Sequence, residues 1–359
     1  MKCALISMQS TSSVWTAQAL SEYFDEVDDL NLKFIEINFS GQTSEVLYKG
    51  KKLPTYDAVY LKGSFRYTDL LKTLAELLKN KCYMPIDPLA YEIANDKLLT
   101  HLTMQRAGIP MPKTYISPTI DAAQMLLEKI NYPVIFKFPK GTQGKGVLFI
   151  DSYATATSVL DAITSLNQSF IIQEYVESDS TDIRVFVVGD KVVASMKRIG
   201  KEGDKRSNLH KGGNAVAFDP DDEVKKIAIQ LSKHLGAEIC GVDIVIGPKG
   251  PLVLEANISP GLQGITESTG VNVAQKIAAH LAKKTKEWLA DGKEVTKKKI
   301  MEDLSVPHME ASPDIVTTCE FRGSRILLPP IISKLSKISE DDEVIMRASK
   351  GKISIETIK

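Results

Sequence analysis

Cysteine is scarce and scattered. Cys3, Cys82, Cys240 and Cys319 are the only four in 359 residues, no CxxC pair occurs, and each lies in or beside an apolar run. This argues against a zinc ribbon or a disulfide framework and implies buried, reduced thiols. Histidine adds no metal-ligand spacing, because His101, His210, His234, His280 and His308 stand far apart. Net charge is missing as well. The 45 Lys and Arg balance 45 Asp and Glu, so no global field draws the chain to nucleic acid or an anionic membrane. No apolar run approaches the ~20 residues that span a bilayer. The run Ala4-Leu5-Ile6 is too short for a signal-peptide core and reads as a first strand. These absences predict a cytoplasmic protein with no membrane segment. Two phosphate motifs are also lacking. There is no Gly-x-x-x-x-Gly-Lys-Ser/Thr, and the first strand is not followed by Gly-x-Gly-x-x-Gly, which leaves no basis for a P-loop or an NAD site.

What is present suits two or three domains. Residues 1–94 alternate strand and helix signals: Cys3 to Ile6, Val14 to Phe24, Phe34 to Phe39, Ala58 to Leu61 and Thr68 to Leu78. Such alternation predicts a small Rossmann-like parallel sheet with helices on its faces. Asn95-Asp96 caps a helix that begins Lys97-Leu98-Leu99. A cation in a first helical turn opposes the macrodipole, so Lys97 suggests a neighbouring anion such as phosphate, or else a solvated lysine. Lys137 lies in the strand Val134-Ile135-Phe136-Lys137-Phe138. An unpaired ammonium there is costly, so it needs a ligand phosphate or an internal carboxylate.

Between two β-type runs lies Pro139-Lys140-Gly141-Thr142-Gln143-Gly144-Lys145-Gly146. It reads as a hairpin with a basic, Gly-rich tip that suits an anion. A strand from Phe170 ends in Glu174-Tyr175-Val176, whose backbone groups suit an adenine edge. Asp182 and Arg184 are two apart and share a strand face. A second basic loop, Lys197 to Gly213, suits phosphate and carboxylate recognition. Asp243 sits in one buried-type strand, and Glu255 and Asn257 share a face of the next, joined by a turn at Gly247-Pro248-Lys249-Gly250. Two carboxylates and an amide oxygen in an apolar sheet suit Mg²⁺ with bound phosphates, or an internal hydrogen-bond network.

Four stretches combine into a specific pattern: Asp96-Lys97-Leu98; Lys137 with Gly141-Thr142-Gln143-Gly144; Lys201-Glu202-Gly203-Asp204 with Arg206-Ser207-Asn208-Leu209-His210; and Glu255-Ala256-Asn257-Ile258-Ser259-Pro260-Gly261. Over about residues 1–290 the chain resembles the RimK family of ATP-grasp ligases, which join an amino acid, usually L-glutamate, to a carboxylate. The resemblance implies an α/β (α+β) ATP-grasp fold. Residues 1–94 would form a Rossmann-like pre-ATP-grasp domain and 95–290 two subdomains with the nucleotide between them. It places Lys97, Lys137 and Gly141 to Gly144 (Gly141, Thr142, Gln143, Gly144) at ATP phosphates. Gln173, Glu174, Tyr175 and Val176 would lie at adenine and Asp182 at ribose. Arg206, Ser207 and Asn208 would meet phosphate or acyl phosphate, with Arg206, Asn208 and Lys137 catalytic. Asp243, Glu255 and Asn257 would hold Mg²⁺, or Mn²⁺ in its place. One position departs: Lys62 stands where relatives carry arginine, keeping the charge but losing the bidentate fork.

Residues 283–300 are Lys-rich, and with Pro307 and Pro313 following them residues 291–312 read as a solvated linker. Residues 313–359 resemble an AbrB-type swapped-hairpin domain, which implies intertwined dimers and, in many proteins, DNA binding. Eight Lys and Arg against seven Asp and Glu in that segment favour oligomerisation, as a dimer or tetramer, over DNA. The expected partners are therefore L-glutamate, a carboxylate acceptor such as a protein C-terminus or cofactor tail, and a second copy of the chain. A nucleotide-sensing DNA-binding regulator is the alternative.

Overall fold

The computed structural model describes residues 1–138, 146–165, 169–200 and 214–305, with most of 320–357. It forms two compact units, Met1–Asp291 and Gly292–Lys359.

The first unit opens with β1 (Lys2–Ser7), α1 (Thr11–Leu20) and β2 (Glu26–Asn31). A small meander follows: β3 (Ile35–Ser40), β4 (Thr43–Tyr48) and β5 (Lys51–Lys52). Then come β6 (Ala58–Leu61), α2 (Thr68–Leu78) and α3 (Pro88–Asn95). The parallel sheet has the order β2-β1-β6. Its central strand buries Cys3 to Ile6 completely, as the unbroken apolar run predicts for a strand covered on both faces. Two details differ from expectation. β2 is polar, Glu-Val-Asp-Asp-Leu-Asn, and pairs at the sheet edge, so it carries no apolar signature. The run from Phe34 does not join the parallel sheet; it pairs antiparallel with β4 in a separate three-stranded sheet.

Next comes α4 (Lys97–Arg106), whose Met104 joins the core shared with residues 1–94, and then a lobe built from β7 (Thr114–Tyr115), α5 (Ile120–Leu127), β8 (Val134–Lys137), β9 (Val147–Ile150), α6 (Tyr153–Ser165) and β10 (Ile171–Glu174). Asp96 caps α4, accepting from the Leu98 and Leu99 N–H groups at 2.8 and 3.2 Å. β8 and β9 pair as the expected hairpin. The sheet order is β7-β10-β8-β9, and its apolar face packs on α5 and α6 through Leu127, Phe136 and Leu160.

The third part holds β11 (Thr181–Val188), β12 (Lys191–Ile199), β13 (Asn214–Ala217), α7 (Asp222–Leu235), β14 (Ile239–Gly247), β15 (Gly250–Asn257), α8 (Gln263–Thr269) and α9 (Val273–Ser305). Its five-stranded antiparallel sheet runs β13-β12-β11-β14-β15. Here the reading of a loop from Lys197 is corrected. Lys197, Arg198 and Ile199 complete β12, because they pair with Ile183, Asp182 and Thr181. The core of this part is continuous with that of residues 1–94, while the lobe has its own. Residues 1–94 and the segment after them therefore share one compact unit. α9 extends to Ser305, into the segment read as a linker. Lys, Glu, Met and Leu are good helix formers, and no proline intervenes before Pro307.

The second unit contains two hairpins, β16 (Glu320–Arg322) with β17 (Arg325–Leu327) and β18 (Val344–Ser349) with β19 (Lys352–Thr357). Phe321, Met346 and Ile353 are exposed there. Cys3, Cys82 and Cys240 are buried free thiols, as expected, while Cys319 lies outside the described residues.

Candidate active site

The site forms where the end of β8, the start of α4 and the β14–β15 hairpin face one another. Asp243 and Glu255 are directly opposite in the antiparallel ladder, and Gly241 is opposite Asn257. Opposed residues point to the same face, so Asp243, Glu255 and Asn257 share one. This alignment depends on a register shift between Asp243 and Ile244. Extra residues of this kind re-aim side chains beside functional sites.

The three groups have different surroundings. Glu255 is exposed. Asn257 is half-buried, and its Oδ1 accepts from the Ser259 N–H at 2.9 Å. Asp243 is buried and doubly paired. Arg184 Nε donates to its Oδ1 at 2.7 Å, and Arg184 and Arg198 donate to Oδ2 at 2.6 and 2.8 Å. Burial alone would raise the Asp243 carboxyl, but the two guanidinium groups hold it well below the usual carboxylate range. A carboxylate has about four lone-pair sites. Three are used here, so one on Oδ1 remains. The donor set is two carboxylates and an amide oxygen, with acceptor capacity left on each, and it fits a hard divalent ion. Among the described residues no cluster of three His, Cys, Asp or Glu offers a competing metal site.

Two lysines face this cluster. The Glu255 charge acts on both Lys97 and Lys137, and also on Arg184. Burial depresses the Lys97 ammonium and pushes Lys137 down to about 8. A short network ties them together. Lys137 Nζ donates to Gln173 Oε1 at 2.5 Å. The Gln173 amide donates to Thr114 Oγ1 at 2.9 Å and meets His101 Nε2 at 3.1 Å. His101 Nδ1 lies 2.5 Å from the Lys97 carbonyl oxygen. These contacts assign the imidazole proton to Nδ1 and leave Nε2 as acceptor. The ring is thus neutral, in keeping with the lowering of His101 by burial. Gln173 orients Lys137 with its side chain, a role that reading only its backbone missed.

Other expected residues are placed differently. The Glu174 and Tyr175 N–H groups already donate to the Lys113 and Pro133 carbonyls at 2.9 and 3.3 Å. Glu174 Oε1 accepts from the Tyr115 hydroxyl at 3.0 Å. Neither N–H group is therefore free to meet the base edge expected there. Asp182 corrects the ribose reading. It is 2% exposed and binds Arg198 through both oxygens, with Nε to Oδ1 at 2.7 Å. Nothing local marks Arg198 for this role, because it opens a basic, Gly-punctuated run that looks like loop. Gly141, Thr142, Gln143 and Gly144 lie outside the described residues, as do Arg206, Ser207 and Asn208.

Comparison with known proteins decides the family. A model of the RimK-like ATP-grasp domain matches residues 94–281. The chain belongs to the RimK-like ATP-grasp family. A probable alpha-L-glutamate ligase of Klebsiella pneumoniae is 38% identical over 287 residues, covering 78% of this chain and 95% of that one. The ribosomal protein bS6–L-glutamate ligase of Escherichia coli is 36% identical over 287 residues, covering 77% and 94%. Among solved structures, the ATP-grasp ligase PsnB, complexed with a phosphomimetic variant of its minimal precursor, Mg and ADP, aligns with a TM-score of 0.62. It is 17% identical and covers 79% of this chain and 98% of its own, a likeness of fold. Family membership makes this chain a ligase that forms amide bonds.

Proposed function

We propose that the chain uses ATP to join L-glutamate, or a similar amino acid, to a carboxylate of a protein, peptide or cofactor through an acyl phosphate. One observation carries this reading: the exposed Glu255 carboxylate shares a face with Asp243 and Asn257, and its charge reaches Lys97, Lys137 and Arg184. Opposite charges gathered at one solvent-open point suit a metal and a polyphosphate better than a purely structural network. The glutamate ligases among the relatives support the choice of amino acid.

In this mechanism Asp243, Glu255 and Asn257 hold Mg²⁺, or Mn²⁺ in its place. The ion supplies charge neutralisation and polarisation of the transferring phosphoryl group. Lys97 and Lys137 bind ATP phosphates, and Gln173 keeps the Lys137 ammonium aimed at them. An acceptor carboxylate oxygen attacks the γ-phosphorus, the bond to the bridging oxygen breaks, and ADP leaves. The amino acid nitrogen then attacks the acyl carbon, loses its proton, and expels inorganic phosphate. The family resemblance assigns Gly141 to Gly144 to the phosphates and Arg206, Ser207 and Asn208 to the acyl phosphate. Incubation with ATP, Mg²⁺, L-glutamate and a panel of carboxylates tests the reading. It requires ADP release and a new amide by mass spectrometry; ADP without an amide on any acceptor would refute it.

Lys137 gives a pH dependence. Its ammonium loses its proton as pH rises past about 8. ATP affinity is expected to weaken above that pH, by up to about tenfold per unit for one linked proton. Calorimetric titration from pH 7 to 9.5 checks this, and Lys137→Met should show a flat profile.

We infer further that residues 313–359 act as an AbrB-like oligomerisation module. Two isolated two-stranded hairpins are marginal in water, and Phe321, Met346 and Ile353 expose apolar surface on them. A second copy of the chain would bury that surface. Removing residues 313–359 is expected to lower the oligomeric state in light scattering. An unchanged mass would refute the role.

A further inference from the structure

Lys62 follows β6 and is not used by the chemistry above. It is 5% exposed, and its Nζ is buried without a hydrogen-bond partner among the described residues. Among the described residues its ammonium lies over the Tyr60 ring, 5.6 Å from Nζ to centroid. A cation–π contact is worth far less than the desolvation cost of an ammonium. Burial accordingly pushes the Lys62 ammonium down to about 8, and no carboxylate among the described residues offsets it.

Its place in the fold is informative. The chain leaves β1 on one side to make β2 and returns on the other to make β6. Parallel sheets bind ligands in the crevice outside the carboxyl ends of their strands, where the winding reverses. Lys62 stands there, its N–H donating to the Ile6 carbonyl at 2.9 Å. The crevice is stitched to the loop after β15. The Gly63 N–H donates to Ser259 Oγ at 3.3 Å, and the Leu262 N–H to Ser12 Oγ at 2.8 Å. Ser259 N–H in turn donates to Asn257 Oδ1. A hydrogen-bonded path thus runs from the candidate metal ligand Asn257 to the residue beside Lys62.

We propose that Lys62 anchors a substrate carboxylate at the ends of β1 and β6, close to the reacting groups. This rests on the ligase reading above. The carboxylate belongs either to the incoming amino acid or to the acceptor. Its arrival gives the ammonium the anion it lacks, while the flexible four-carbon stem lets the head move to meet it.

Calorimetric titration of the full chain with L-glutamate and with N-acetyl-L-glutamate, which has no free amine, tests this without requiring turnover. At least one probe is expected to bind the unaltered protein. Lys62→Met should weaken that binding at least about 30-fold, as expected for truncating one partner of a buried charge pair, with Lys62→Arg within about tenfold of the original. Affinity for ADP with Mg²⁺ should stay within about twofold. Loss confined to L-glutamate assigns the anchor to the amine side, and loss for both to a carboxylate that the two probes share. The Tm of ligand-free Lys62→Met should rise, because an uncompensated buried charge is removed. Lys62→Gln is read in the same way should the methionine variant not fold. Equal binding to variant and original, no binding of either probe to the original, or a lowered Tm with parallel loss of ADP would overturn the proposal. A failed amide assay with Lys62-dependent carboxylate binding intact would instead count against the ligase reading alone.

Discussion

Lys137→Met is expected to slow ATP-dependent amide formation by about 10²- to 10³-fold, the range seen when one preorganised charge-stabilising donor is removed. Three features set this size. The ammonium is fixed in direction by Gln173 Oε1 at 2.5 Å. Gln173 is itself 2% exposed and held through its amide by Thr114 and His101. The group therefore needs little reorganisation when a phosphoryl oxygen arrives. Methionine keeps the volume and the strand, so the loss should appear in kcat with a Tm within a few degrees of the original. Steady-state ADP release and thermal unfolding read the two separately. A kcat reduced less than about fivefold would place Lys137 outside the chemistry. Gln173→Leu should reproduce a smaller part of the loss by letting the ammonium wander.

Arg198→Ala is expected to be among the most destabilising single changes in the first unit. Arg198 is 4% exposed and joins Asp182 to Asp243, both buried. Removing it strands the Asp182 carboxylate away from water and leaves Asp243 with Arg184 alone, which costs about 3–5 kcal/mol. For a unit of this size that corresponds to a fall in Tm of about 10 °C. The ion pair itself is weak evidence for net stability, because desolvation offsets most of its attraction. Hence Arg198→Leu combined with Asp182→Leu should recover much of the loss. Thermal denaturation of the single and double variants checks both statements. A single variant within about 2 °C of the original would mean that the carboxylates reach water.

Arg198 also shows why its role was hard to read. A basic residue before a long Gly-punctuated stretch looks like loop, and nothing local marks it as the partner of Asp182. By contrast, Asp96 as a helix cap, the pairing of β8 with β9 and the strand pair carrying Asp243, Glu255 and Asn257 were all legible. Each rests on a short-range rule: a capping oxygen, a turn signal, or period-two alternation. The network of Gln173, His101 and Thr114 joins residues far apart in sequence, and no periodicity announces it.

The sequence by itself determined the element types, the parallel layer at residues 1–94 and the family pattern that runs from Asp96 to Gly261. What it left open was register. In the β14–β15 hairpin the pairs out to Ile244 and Val253 would bring Leu254 opposite Asp243; the shift there brings Glu255 instead. In the β11–β12 hairpin the first pairs, Val188 with Lys191 and Val187 with Val192, would lead to Lys197 opposite Asp182; a second shift supplies Arg198. Side chains alternate at every step along a strand, so a slip of one residue moves them to the other face. Only the packed sheet, weighing buried charge against buried charge across three strands, could select the register that gathers Arg184, Arg198, Asp182 and Asp243 on one side.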